Sequence, residues 1–174
     1  MTKTAATPRS LKKRLLSWSI QLFVALLALL AVEAFLTRDS TGLMAPAIEA
    51  PTLNQQPFSL QQFKGQPAII HFWATWCPVC KLEQGAINGI ATDSPIITVA
   101  MQSGSSEEIL DYLQQQGVAY PVVNDPNGSL AGQYGVKAVP ASFILDSEGQ
   151  VRFATRGYTT GPGLRIRLWL AEWF

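Results

Sequence analysis

The chain has 174 residues and a mass of 19.0 kDa; 48% of the residues are hydrophobic, only 14% are charged, and the mean hydropathy is +0.15. A soluble domain is about a quarter charged, so this composition points to a membrane segment and excludes a charged, disordered chain. The net charge of +1 gives no global field for a polyanion, so no nucleic-acid partner is expected, and two cysteines, Cys77 and Cys80, exclude a disulfide-stapled miniprotein and a four-cysteine metal site.

Residues 1–14 carry Lys3, Arg9, Lys12, Lys13 and Arg14 and no acid, and read as a basic cytoplasmic tail. From Leu15 to Leu36 the only charge in 22 residues is Glu33. As a helix this run spans roughly 33 Å, enough for a hydrocarbon core of about 30 Å. Trp18 near one end suits an interface, and the cations before the run place the N-terminus in the cytoplasm. A cleaved signal peptide is the alternative, with Val32-Glu33-Ala34 as the cleavage site, but an uncharged core of 18 residues (15–32) is long for one. Either way the body is exported. Residues 37–50, with Gly42 and Pro46 and no periodicity, read as a tether. Residues 51–174 form the domain, with 7 basic and 9 acidic side chains, a net of 7 − 9 = −2.

Within that domain strands and helices alternate. Ala68–Trp73 is an apolar run suited to a strand buried on both faces. A helix is predicted from the cysteine pair to about Ile90, and a β-branched strand at 96–100. Ser105 and Glu108 make a capping box for a helix running through Gln116 and closed by Gly117. A short strand at 121–123, a turn at 125–128 and a short helix at 130–134 follow. Strands at 142–145 and 151–155 make a hairpin, and a helix at 164–174 ends the chain with Leu164, Leu168 and Trp169 on its apolar side. This order implies an α/β fold, a mixed sheet with helices on both faces.

The chemistry lies in Trp76-Cys77-Pro78-Val79-Cys80. Cysteines at i and i+3 in a helix's first turn can close a small disulfide. At the helix start Cys77 meets unpaired N–H groups and the positive end of the dipole, which favour thiolate and should bring its pKa below the free value of ~8.5. Pro78 suits the first turn, where its missing N–H costs nothing. Cys80, one turn in, should be less exposed. Cys77 is then the nucleophile and Cys80 the residue that resolves a mixed disulfide. A structural zinc would need two more thiolates or imidazoles, and the chain has one histidine. Val139-Pro140 opens the later strand; on base rates alone that bond would be trans.

HFWATWCPVC followed by AVPASFILDSEGQVRF resembles the membrane-anchored thioredoxin-like proteins of the TlpA/ResA/cytochrome-maturation type, over roughly residues 51–174. The resemblance implies a thioredoxin fold, thiol–disulfide exchange through Cys77 and Cys80, and a cis Pro140 facing the sulfurs with Val139 before it. It also implies protein thiols and disulfides as partners, a membrane thiol electron donor, and an inner-membrane protein with its catalytic domain in the periplasm. No cofactor and no metal are expected, and the chain should be a monomer.

His71 stands six residues before Cys77, where thioredoxin has a buried acid that assists the resolving cysteine. A neutral imidazole could do the same, or His71 could be a hydrogen-bonded core residue. Glu83 matches the group's CxxC-[KR]-x-E pattern and could relay protons, although a surface carboxylate is the commoner reading. Gly85 stands where the group usually kinks this helix with proline. Trp76, Pro78, Val79 and Val139 are expected as walls around the sulfurs, and Trp73 as wall or core. Two other classes stay open. One is a Cu(I) module on the two thiolates, although Met44 and Met101 are isolated. The other is a peroxidase, although Thr75 is only two residues before Cys77, where a Thr-x-x-Cys pattern needs three.

Overall fold

The computed structural model describes residues 15–25, 27–28 and 41–173. The chain divides into two units, Met1–Arg38 and Asp39–Phe174. In the first, residues 15–25 are helical, and among the described residues no helix is long and apolar enough to cross a membrane. The expected basic tail lies outside the described residues, as does most of the second half of the expected anchor.

The second unit is organised by strand β3 (Ala68–Trp73), in which every residue is buried. Its odd-numbered side chains enter one core with Ile87, Ile109 and Leu164, and its even-numbered ones enter a second with Ile48, Phe58 and Phe143. A strand with period-two side chains and no exposed face must be covered on both sides. Strands β4 (Ile96–Met101) and β5 (Val122–Asp125) extend the sheet in parallel, and β6 (Ala141–Leu145) and β7 (Val151–Arg156) extend it antiparallel on the other side. The five-stranded order is β5-β4-β3-β6-β7.

Helices α1 (Pro78–Ala91), α2 (Ser106–Gln116), α3 (Ser129–Gln133) and α4 (Gly161–Ala171) complete the layers. Helix α2 carries the capping box read from the sequence and ends on Gly117 at φ +65°, a left-handed conformation that glycine adopts without penalty. Helix α4 begins at Gly161, three residues before the position expected. Thr160 is its N-cap, with its hydroxyl accepting from the Gly163 N–H, and Pro162 lies in the first turn. Trp169 faces solvent rather than the core and sits edge-on to Trp173.

The tether reading requires correction. Residues from Gly42 onward are bound to the domain: the Gly42 N–H donates to Val151 O (2.7 Å), the Ala45 N–H to Gly149 O (3.0 Å), and the Tyr134 hydroxyl to Pro46 O (2.5 Å). Ile48 is fully buried, and strands β1 (Glu49–Pro51) and β2 (Pro57–Ser59) form a small hairpin over the second core. Three-residue strands show no periodicity, so polar residues and prolines at this length look like a linker. Ile48→Ala should therefore destabilise the fold by about 2–5 kcal/mol in denaturant unfolding. A true tether position would change stability by no more than about 0.5 kcal/mol.

Candidate active site

Strand β3 ends at Trp73, and the chain turns through Thr75 and Trp76 into α1, with Cys77 as N-cap. The Cys77 backbone is extended (φ −89°, ψ 110°), so its sulfur folds back over the first turn and accepts the Cys80 N–H at 3.1 Å. A sulfur here takes the place of the usual Ser or Asp oxygen. Cys77 and Cys80 form a disulfide with Cα atoms 5.3 Å apart. Both are buried, Cys77 at 4% exposure and Cys80 at 1%. Pro78 is the first residue of the helix, and Val79 lies on the rim.

Trp76 is 58% exposed beside them and is held by its indole N–H, which donates to Gln102 O at 3.0 Å. Gln102, whose carbonyl accepts this bond, adopts φ +49°, an uncommon value for a residue with a side chain. The adjacent Ser103 hydroxyl accepts the Thr75 N–H at 3.1 Å. Both Gln102 and Ser103 lie in the VAMQSGS segment, but neither side chain marks these contacts in the sequence. Trp73 belongs to the core: its N–H donates to the Thr98 hydroxyl and its ring packs against Tyr112 and Tyr120. Across from α1 the Val139–Pro140 peptide is cis, and the Val139 carbonyl oxygen lies 3.5 Å from the Cys77 sulfur. The Gly157 N–H donates to Pro140 O at 2.8 Å, which fixes the loop against the end of β7.

Beneath the sulfurs lies a buried acid. Glu83 follows Cys80 by one helical turn and shares its face, where side chains three apart are neighbours. It is 1% exposed, so the surface reading of this carboxylate is wrong: α4 and the loop before it cover this part of α1. One carboxylate oxygen accepts the Thr159 N–H, and the other has no hydrogen-bond partner. Its nearest basic atom is His71 Nε2 at 3.9 Å, too far for a hydrogen bond. Burial, opposed only in part by the Thr159 bond, pushes the Glu83 carboxyl up to about 7. Burial also lowers His71 to about 3, so the imidazole is neutral at physiological pH, and its Nδ1 is bonded to the Ser142 hydroxyl at 2.9 Å. Among the described residues no group of three or more His, Cys, Asp or Glu side chains could hold a metal ion.

The Glu83 shift has a thermodynamic consequence. Below its ordinary value of 4.5 the carboxyl is protonated in both the folded and the unfolded chain. Between 4.5 and about 7 the folded chain keeps a proton that the unfolded chain releases, so folding stability falls as pH rises. Glu83→Gln removes this slope. In denaturant unfolding of the oxidised proteins, its stability relative to the parent should improve by about 1–3 kcal/mol between pH 5 and pH 8. An unchanged difference would mean that Glu83 titrates as an ordinary carboxylate.

Comparison with known proteins agrees with this geometry. The AhpC/TSA family profile matches residues 41–154. A thioredoxin-like protein of Haemophilus influenzae is 30% identical over 164 residues, covering 93% of this chain and 98% of the relative. The thiol:disulfide interchange protein DsbE of Xylella fastidiosa is 28% identical over 162 residues, covering 87% and 82%. Among solved structures, MTB dsbF, determined in mixed oxidised and reduced forms, aligns with a TM-score of 0.64 and 26% identity over 71% of this chain and 94% of that one. The enzyme is a thiol–disulfide oxidoreductase. The chain belongs to the AhpC/TSA family, within its thioredoxin-like group of TlpA-, ResA- and DsbE-like thiol–disulfide oxidoreductases.

Proposed function

We propose that this chain is a membrane-tethered, extracytoplasmic enzyme that reduces disulfides in protein substrates through Cys77 and Cys80. The observation that carries the reading is the Cys77 sulfur, capping α1 while lying 3.5 Å from the Val139 carbonyl. An extended substrate laid along that backbone would bring its own sulfur to Cys77.

The chemistry balances as follows. In the reduced enzyme the Cys77 thiolate attacks one sulfur of a substrate disulfide, forming a mixed disulfide and releasing the other substrate sulfur as thiolate. Cys80 then gives up its proton and attacks the Cys77 sulfur. The Cys77–Cys80 disulfide forms, the second substrate sulfur leaves as thiolate, and both substrate thiolates take up protons from solvent. Two electrons pass from enzyme to substrate, and a membrane thiol donor returns them. Glu83, one turn from Cys80 with a carboxyl that titrates near neutrality, is the proton acceptor for Cys80. His71, held neutral by burial and bonded to Ser142, is a core residue that shapes the surroundings of Glu83.

The basic tail 1–14 and the apolar run 15–36 support a signal anchor with the domain outside the cytoplasm, where a disulfide couple can cycle. Within the group, the VAMQSGS and GYTTGPGLRIRLWL segments most resemble the suppressor of copper sensitivity protein D, so copper stress is the growth condition in which substrates should be sought.

Two measurements test the reading. In cells, acid quenching and thiol alkylation should find Cys77 and Cys80 mostly reduced; a fully oxidised pair during active growth would instead make the enzyme a disulfide donor. Cys80→Ser should accumulate mixed disulfides with substrate proteins, and Cys77→Ser should trap none and lose reductase activity. Copper protection that survives Cys77→Ser would instead support a role that does not depend on the redox pair.

A further inference from the structure

A groove outside the redox pair has no part in the exchange chemistry. It has a volume of about 410 Å³, within the ~300–1,000 Å³ of ligand clefts. Its floor is Tyr134, Phe143 and Val151, on the face of the sheet opposite Glu83, and Leu43 and Met44 form an exposed apolar wall. It holds two cations, Lys137 and Arg156, and no acid lines it. Neither cation makes an ion pair among the described residues.

The placement of the two cations connects the groove to the sulfurs. Arg156 ends β7 opposite Ala141 and precedes Gly157, whose N–H bonds to Pro140 O. Lys137 lies two residues before Val139, whose carbonyl faces Cys77. Both cations therefore stand at the end of the groove next to the Val139–Pro140 loop. Val151, which also lines the groove, lies five residues back along β7 from Arg156, a distance of roughly 17 Å at ~3.3 Å per residue. That length suits several residues of an extended chain continuing away from a cysteine held at Cys77.

We infer that this groove receives the segment of a protein substrate adjoining its reacting cysteine, and that Lys137 and Arg156 select segments bearing carboxylates next to apolar side chains. The inference rests on the exchange reaction proposed above and names its substrate class. The described domain works against a general attraction for acids, since residues 41–173 carry 7 basic and 10 acidic side chains, a net of 7 − 10 = −3. A preference for acidic segments must come from local cations.

The test uses the full chain in detergent, chemically reduced beforehand, and two matched cystine-bridged peptides with either Glu or Lys flanking the cysteine beside leucines. A small neutral disulfide, 2-hydroxyethyl disulfide, serves as control. At low salt the Glu peptide should be reduced about tenfold faster than the Lys peptide, and the ratio should shrink with added salt. In a Lys137→Glu/Arg156→Glu variant the ratio should fall to one or invert, while Lys64→Glu, outside the groove, preserves it. All three proteins should reduce the neutral disulfide at the same rate. An unchanged ratio in the double variant, or no preference in the parent, would overturn the groove assignment and leave the exchange reaction standing. Failure of the parent to reduce even the neutral disulfide would remove both.

Discussion

The whole site depends on Cys77 acting as a helix cap. A helix start leaves N–H groups without partners, and here the Cys77 sulfur accepts one of them, the Cys80 N–H. The same atom is the one expected to react. Capping therefore favours the charged, nucleophilic form of the sulfur for the reason that it stabilises the helix. It also fixes geometry: Cys77 lies just outside the helix and Cys80 on the first turn, with their Cα atoms 5.3 Å apart, within the span a disulfide bridges. Strand β3 holds the other end of this arrangement, because a strand buried on both faces cannot shift its register without exposing one core.

The second constraint is the buried layer between α1, α4 and β3. It contains an acid and a base, Glu83 and His71, 3.9 Å apart. These would form an ion pair in water, but burial disfavours charge on both, raising the acid and lowering the base. Desolvating two charges costs more than an attraction at this distance and without a direct hydrogen bond returns. Glu83 is left able to change protonation near neutral pH, whereas His71 is not. In the proposed exchange this leaves Glu83, rather than His71, as the group able to take a proton from Cys80.

Much of this was legible in the sequence. The six-residue apolar run, the capping box at Ser105, the CxxC motif and the hairpin of the strands at 142–145 and 151–155 each depend on local rules, and the structure keeps each of them close to its expected bounds. What failed depended on contacts distant in sequence. Glu83 reads as a surface residue because its own helix gives no sign of the chain 76 positions later that covers it. Residues 42–50 read as a tether because their partners, Tyr134, Gly149 and Val151, are far along the chain. Trp169 reads as inward because α4 is apolar on both faces, so composition cannot tell which side packs. Gln102 was unreadable for another reason: a positive φ in a residue with a side chain has no sequence signature.

The two faces of the sheet divide the work. The face under α1 and α4 is sealed, and it holds the buried Glu83 and His71. The opposite face carries the 42–51 segment and α3 and leaves a groove between them that stays open to solvent. Both faces meet at one place, where the Val139–Pro140 loop faces Cys77 and is pinned by Gly157. A proton acceptor needs exclusion of water to titrate near neutrality, and a substrate channel needs access to it. One strand separates the two requirements by a single change of parity, since His71 points to the sealed side and Phe72 to the other. Substrate selection can therefore change through Lys137 and Arg156 without altering the environment of Glu83, as long as β3 stays in register.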